Sequence, residues 1–398
     1  MPPKPKHSPA RPFIYPIRNR SFFEPQLRSS NSTKYLRLTN RTLVRLAGCD
    51  AKVFLNDLIP AKILDIQSTN PIYTAFLSAH GRILNDVFIY PPAERDGEEW
   101  FIEVDSVSAG DLISHFRKHK LRAQIDIEKL APEKTGVYYR WPSDAESDLK
   151  SSTTGIHSGG QDPRPGMGMR WLDIAFSEPE IIQRLEDRGG KTATLQDYAI
   201  HRMLNGVAEG QSELIAKSAL PQESNIDLFG GIDFHKGCYV GQELTIRTHH
   251  TGVVRKRILP CQLYNKDNPL SAGQSEPAYK PNANLPLPPA ESNISKLNAR
   301  GRGRSSGKWL GGVGNIGLAL CRLEMMTDIQ LTADRTNYDP NEEYKVTWEV
   351  EGEEVKREVM LKPFVPQWLR DGVEQSLRRK EKKPKPRQAE EDDYEEVD

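Results

Sequence analysis

The stretch Lys236-Gly237-Cys238-Tyr239-Val240-Gly241-Gln242-Glu243, with Arg247 close behind, constrains this chain more than any other part of it. Two glycines bracket a thiol, and glycine weakens regular structure unless the backbone needs φ > 0 or a close approach. Gly237 and Gly241 therefore point to left-handed backbone, or to backbone held against something else. Cations beside a thiol favour the thiolate, the form that attacks electrophiles and binds metals, and Lys236 and Arg247 flank Cys238. Gln242 and Glu243 are suited to reading the edge of a heterocycle, the amide donating and accepting, the carboxylate accepting charge-assisted hydrogen bonds. The plain alternative is a tight turn with an inert cysteine.

A chain of 398 residues with 37% hydrophobic content can bury the cores of two or three domains. Its 55 basic and 55 acidic side chains cancel, so no global field argues for a nucleic-acid partner or an acidic membrane. The charge is nevertheless uneven. No acidic residue occurs from Met1 to Phe23, whereas Lys4, Lys6, Arg11, Arg18 and Arg20 are basic, followed by Arg28-Ser29-Ser30. Residues 1–34 accordingly read as an organellar transit or disordered segment, although its prolines spoil a clean amphipathic helix. No run approaches the roughly 18 apolar residues of a membrane span. Cys49, Cys238, Cys261 and Cys321 are too scattered for a disulfide framework or a complete cysteine-ligated metal site. All but Cys238 lie in apolar, strand-like surroundings and are expected to be buried and inert.

Hydrophobic periodicity predicts an α+β chain. Leu43–Ala47 reads as a strand, with Asp50 as N-cap of a helix over Ala51–Ile59, and Tyr73–Leu77 and Ile83–Tyr90 as a hairpin across Ala79-His80-Gly81-Arg82. Trp100–Val104 is a further strand, and Ala109, Leu112, Ile113 and Phe116 mark a helix face. Thr194 and Asp197 form a possible capping box for a helix through Leu204, which Gly206 is placed to end. Two stretches poor in large apolar residues, 143–169 and 265–312, read as insertions. Strands are expected at Ile258–Leu263, Ile316–Leu320, Tyr344–Val350 and Val355–Leu361, the last two joined across Glu351-Gly352-Glu353-Glu354. The spacing gives 35–255 as an α+β region, 256–366 as a β domain and 367–398 as a charged, solvated tail.

The signature stretch closely resembles the K-G-C-[FY]-x-G-Q-E-x-x-x-R motif of the YgfZ-type, folate-binding relatives of the glycine-cleavage T-protein. Other segments resemble the same family: Leu43 to Leu55, His80-Gly81-Arg82-Ile83-Leu84-Asn85-Asp86, Arg202 to Glu209 (with Ala208 in place of the usual proline) and Asn315 to Arg322. The likeness spans roughly residues 35–365. It implies a three-domain, T-protein-like ring with a C-terminal β-barrel-like domain and a folate-sized central site. Tetrahydrofolate is then the implied cofactor. Glu209, Asp86 and the Gly237, Tyr239, Gly241, Gln242 and Glu243 loop are candidates for its pterin, and Arg202, Arg247, Arg255 and Lys236 for its charge. The eukaryotic branch consists of mitochondrial iron–sulfur assembly factors. The resemblance therefore implies a mitochondrial matrix protein without classical turnover, acting with A-type scaffold proteins on client [4Fe-4S] enzymes of the aconitase and radical-SAM types. Cys238 would be its redox group or its ligand to a cluster shared with a partner.

Two other functions stay open. One is tetrahydrofolate-dependent aminomethyl transfer through Asp86. Against it, the paired aspartates of the T-protein hairpin look here like Asn85-Asp86, and losing a carboxylate removes a base or a charge partner. For Asp86 itself, turn capping is the bland reading. The other is a folate-binding regulatory module.

Overall fold

Strands Ile83–Tyr90 and Trp100–Val104 are apolar on both faces, so they must lie between two layers rather than on a surface. The computed structural model bears this out. It describes residues 33–381, apart from interior stretches at 67, 69, 93–96, 134, 143–157, 175–177, 188–189, 272, 299–304, 332–337 and 353–354. The expected transit segment falls outside the described residues but for its last two, as does part of the expected turn at 351–354.

The chain opens with β1 (Lys34–Arg37), β2 (Arg41–Ala47) and α1 (Ala51–Leu58), then β3 (Ile72–Leu77), β4 (Ile83–Tyr90), β5 (Glu99–Asp105), α2 (Ala109–Lys120) and β6 (Asp126–Lys129). Five of these strands form an antiparallel sheet in the order β3-β4-β5-β2-β6. One face, with Val44, Leu46, Val87, Ile89 and Ile102, packs under α1 and α2 through Phe54, Leu55, Leu112 and Phe116. The opposite face packs against a second sheet.

That sheet is built from β7 (Gly136–Arg140), β8 (Ser158–Gln161), β9 (Met169–Asp173) and β10 (Lys191–Thr192), with β1 among them in the order β10-β1-β7-β9-β8. Helices α3 (Glu178–Glu186) and α4 (Leu195–Leu204) follow the chain here. One shared cluster joins the two sheets, with Leu43, Phe88, Tyr90 and Phe101 from the first and Leu36, Val137, Tyr139 and Leu172 from the second. The capping box forms as expected, Thr194 Oγ1 accepting the Asp197 N–H at 3.1 Å and Asp197 Oδ2 accepting the Thr194 N–H at 2.9 Å. Gly206, at φ +72°, ends the helix.

After α5 (Gln242–His250) comes a closed barrel of β11 (Lys256–Tyr264), β12 (Asn293–Lys296), β13 (Gly307–Val313), β14 (Ile316–Arg322), β15 (Tyr344–Trp348) and β16 (Arg357–Pro363), ordered β11-β14-β13-β12-β15-β16. A short α6 (Leu323–Met326) follows β14, and α7 (Gln367–Glu381) packs Leu369 and Val373 onto the barrel core.

Several expectations need correction. The stretch read as an insertion at 143–169 contains β8, whose Gly159 lies against Trp171, and goes on to bury Asp162 and Arg164. The 265–312 stretch supplies two barrel strands, β12 and most of β13, and the charged tail begins as a helix. Cys261 and Cys321 are buried as expected, but Cys49 is exposed in the loop before α1. Asp50 does not cap that helix with its side chain; its carboxylate instead accepts the Gln124 N–H at 2.7 Å.

In the barrel the Trp309 indole lies against the bare backbone of Gly312 and Gly317. A Cβ on Gly317 would sit 2.1 Å from the Trp309 ring and 2.4 Å from the Gly311 carbonyl oxygen. Gly317→Ala is expected to lower the unfolding free energy by about 1–3 kcal/mol through overpacking. Urea titration followed by tryptophan fluorescence measures this, and an unshifted midpoint would contradict the packing described.

Candidate functional site

The residues nominated from sequence fall into two groups, one on the surface and one deep between the sheets. Asp86, Arg202 and Glu209 are buried, whereas Gly237, Cys238, Glu243 and Arg247 are exposed.

The surface group stands on a turn and the helix after it. Gly241 adopts φ +81° as N-cap of α5, in line with one of the two expectations for the glycines. A Cβ there would meet the Ser78 carbonyl oxygen at 2.3 Å and Gly81 Cα at 3.1 Å, so the signature glycine rests on the tip of the β3–β4 hairpin. Gly237 has neither property: its φ is not positive, and nothing lies within 4 Å of a built Cβ. Gln242 folds back, its Oε1 accepting the Tyr239 N–H at 3.1 Å, and so closes the turn. Tyr239 is buried, and that burial raises its phenol to about 12. Glu243 lies in the first turn of α5, where the helix dipole favours a carboxylate, and Arg247 one turn on.

Lys236 is the surprise of this loop. Its ammonium does not face Cys238 but donates to the backbone carbonyls of Asn56, of Ile59 at 2.7 Å and of Ala61 at 3.0 Å, at the end of α1. Burial lowers it to about 8, against Asp57 and Asp233, which favour the charge. An ammonium carries three donors, so none is left for a bound molecule. Cys238 itself is exposed.

The interior group belongs to a larger charged network. Glu103 on β5 accepts from Arg41 Nε at 2.7 Å and Arg170 Nη2 at 2.6 Å through Oε1, and from Arg170 Nε and the Tyr90 hydroxyl, each at 2.8 Å, through Oε2. Asp86 on β4 pairs with Arg41 at 3.4 Å and accepts the Gly210 N–H at 3.1 Å. This corrects the turn-capping reading, since Asp86 lies mid-strand and fully buried. Glu209 Oε2 takes Arg164 at 2.8 Å, the Tyr198 hydroxyl at 2.9 Å and Arg170 at 3.2 Å. Arg202 is held by both oxygens of Glu213, at 2.8 and 3.0 Å. Arg41, Asp162, Arg164 and Arg170 were not singled out from sequence. Lone charges inside apolar runs, as in Phe101-Ile102-Glu103-Val104 and Arg170-Trp171-Leu172, are the available signal, because such residues are buried only when paired.

Charge balance keeps Glu209 and Glu103 ionised. Burial alone would push Glu209 up, but Arg170, Arg164, Arg41 and Arg202 together hold it well below the usual carboxylate range. Burial also opposes ionisation of Glu103, and Arg170 and Arg41 again win. At Asp86 burial wins and raises the carboxyl, against the pull of Arg41.

The folate expectation can be tested on this geometry. Glu209 Oε1 and Arg164 Nη1 are buried atoms with no hydrogen-bond partner among the described residues. The flat space beside them, however, is already filled: the Arg164 guanidinium lies 4.9 and 4.7 Å from the Tyr73 and Phe88 ring centroids, and Arg170 lies 4.1 Å from Phe88. A pterin does not fit beside Glu209 with these side chains as they stand. A separate cleft of about 290 Å³ opens along α5, between Gly81, Leu220, Thr245, Thr248, Val254 and Arg255. Of the nominated residues, only Arg255 borders it.

Glu103→Gln, which strips Arg41 and Arg170 of their shared carboxylate, is expected to cost about 3–5 kcal/mol in urea unfolding. The pH dependence has a definite sign. Glu103 and Glu209 are depressed in the folded state, so their stabilisation is complete above the unfolded carboxylate value of about 4.3 and is lost as pH falls below it. Asp86, being raised, acts in the opposite direction. Unfolding midpoints measured from about pH 6 to about pH 3 should fall less steeply in Glu209→Gln than in the parent; parallel curves would exclude Glu209 from the acid response.

Comparison with known proteins agrees with this architecture. Residues 255–371 match the CAF17 C-terminal beta-barrel domain. The chain is 46% identical over 385 residues to the iron-sulfur cluster assembly factor IBA57 homolog, mitochondrial, of Aspergillus oryzae, covering 87% of this chain and 85% of that one. The counterpart from Coccidioides immitis is 43% identical over 360 residues, with 85% and 84% covered. Among solved structures, glycine cleavage system aminomethyltransferase T from Bartonella henselae superimposes with a TM-score of 0.57 over 85% of this chain and 87% of its own, at 11% identity, a likeness of fold alone.

Proposed function

The chain belongs to the family of mitochondrial iron–sulfur cluster assembly factors whose curated members are named IBA57 homologs, and from that premise we propose that Cys238 is the group it presents to the cluster. It is a mitochondrial protein of cluster assembly. In the proposal it works in the matrix with A-type scaffold proteins and serves the maturation of [4Fe-4S] enzymes of the aconitase and radical-SAM types. The cluster is cargo, received and passed on.

The observation that carries this reading is the setting of one thiol. Cys238 is exposed beside the bare backbone of Gly237, on a loop bonded to α1 on both sides. Iron–sulfur clusters are held by thiolates, and Cys261 and Cys321 are enclosed in the barrel core. Cys49 precedes α1, whereas the Cys238 loop meets that helix's far end, ~12 Å away at 1.5 Å per residue. A thiol with no second cysteine in its loop suits a cluster whose other ligands come from a partner, because a shared site can be given up.

Aminomethyl transfer lacks comparable support. Asp86 is enclosed and engaged by Arg41 and Gly210, and Asn85, where the T-protein has a second carboxylate, donates to Ser108 Oγ at 2.8 Å.

In cells lacking the native protein, the Cys238→Ser variant is expected to leave aconitase activity at the level of the empty vector while accumulating normally. Restoration of activity by the serine variant would refute the role given to Cys238.

A further inference from the structure

Helix α1 ends without any cation of its own: no basic residue lies in its last turn, and Pro60 prevents the chain from continuing the helix. The last carbonyls of a helix have no partner within it, and the negative end of the helix dipole gathers there. In this protein the missing cap comes from a residue 180 positions away in sequence. Lys236 Nζ donates to the carbonyls of Asn56, Ile59 and Ala61, one for each of its protons. Its charge faces Asp57 on α1 and Asp233 on its own segment, and it lies 5.3 Å from the Tyr239 ring centroid.

Two backbone bonds flank that cap. The Asp233 N–H donates to the Pro60 carbonyl at 2.9 Å, and the Val240 N–H to the Asp57 carbonyl at 3.1 Å. The segment is thus fastened to the same helix end at 233, 236 and 240, and Gly237-Cys238-Tyr239 spans the gap between the last two. Gly237 itself gives no restraint, since nothing lies near it. The Lys236 side chain is therefore the fixed point on the N-terminal side of the thiol, and the buried Tyr239, whose N–H donates to Gln242 Oε1 at 3.1 Å, is the one on the other.

We propose that Lys236 is a positioning residue: by capping α1 it fixes where the Cys238 thiol stands, without touching whatever binds there. This rests on the reading of Cys238 given above for its consequence, though not for the geometry. Lys236→Met keeps length and apolar bulk but removes every donor. Lys236→Arg keeps the cation, although a planar guanidinium matches converging carbonyls less well than an ammonium.

The test pairs two readouts in full-length protein. A nitroxide attached at Cys238 in a Cys49→Ser background, where the remaining thiols are buried, reports loop motion by electron paramagnetic resonance. Unlabelled protein mixed anaerobically with a cluster-loaded A-type scaffold reports cluster sharing by visible absorption. Lys236→Met is expected to narrow the nitroxide spectrum and to weaken cluster sharing about tenfold or more, as losses of an outer ligand support do. Lys236→Arg should recover most of both. A broad, parent-like spectrum in Lys236→Met overturns the proposal, whatever happens to the cluster. A narrowed spectrum with undiminished cluster sharing overturns the claim that the position matters. If the parent protein shares no cluster, the role of Cys238 has failed, and the nitroxide spectra still decide whether Lys236 holds the loop.

Discussion

The carboxylate of Glu103 is the point on which the two sheets meet. It takes Arg41 from its neighbouring strand, Arg170 from the other sheet and the Tyr90 hydroxyl, and these carry the connection to Asp86, Asp162 and Glu209. Ions buried this deeply are costly to desolvate and need every partner in place. Their geometric demand is correspondingly strict. Arg170 cannot reach Glu103 and Glu209 together unless β9 sits in register over β5, so the network fixes the sheets' alignment more tightly than the apolar contacts around it. The chain's own guanidinium groups lie on the rings of Tyr73 and Phe88.

That rigid frame reaches the surface through the β3–β4 hairpin. β4 carries Asp86 at its middle, and the hairpin tip ahead of it holds Gly241 against Ser78 and Gly81. From Gly241 the chain enters α5 in one direction and returns through Tyr239 and Cys238 to the end of α1 in the other. The exposed thiol is thus supported from the hairpin tip and from the end of α1, between the open Gly237 on one side and the buried Tyr239 on the other. Such an arrangement suits a docking partner that must find the thiol in a constant place.

Much of this was legible in the sequence. Apolar runs, the Thr194–Asp197 box and Gly206 gave the α+β layers and their boundaries, because local chemistry decides those features. The resemblance around Cys238 and Asn315–Arg322 brought in the family and the terminal barrel. What stayed hidden depended on distant partners. α5 was missed because Gly241 and Gly252 look like turn residues and its exposed side shows Glu243, Arg247 and paired histidines rather than an apolar stripe. β8, β12 and β13 are short or glycine-rich, and neighbouring strands, not their own composition, hold them in place. Lys236 looked like a charge for the thiol or a ligand, and no local pattern could reveal that its partners are carbonyls of α1. Asp86 looked like a turn residue for the same reason: Arg41 and Gly210, which bury it, lie far away in sequence.

The central claim is that Cys238 meets the cluster directly. It is tested by mixing the protein anaerobically with an A-type scaffold loaded with iron-57, with the parent and Cys238→Ser side by side, and recording Mössbauer spectra of the isolated complex. The parent is expected to change the isomer shift and quadrupole splitting of one iron site, and the serine variant is not. Identical spectra from the two complexes would contradict it and leave Cys238 without a part in holding the cluster.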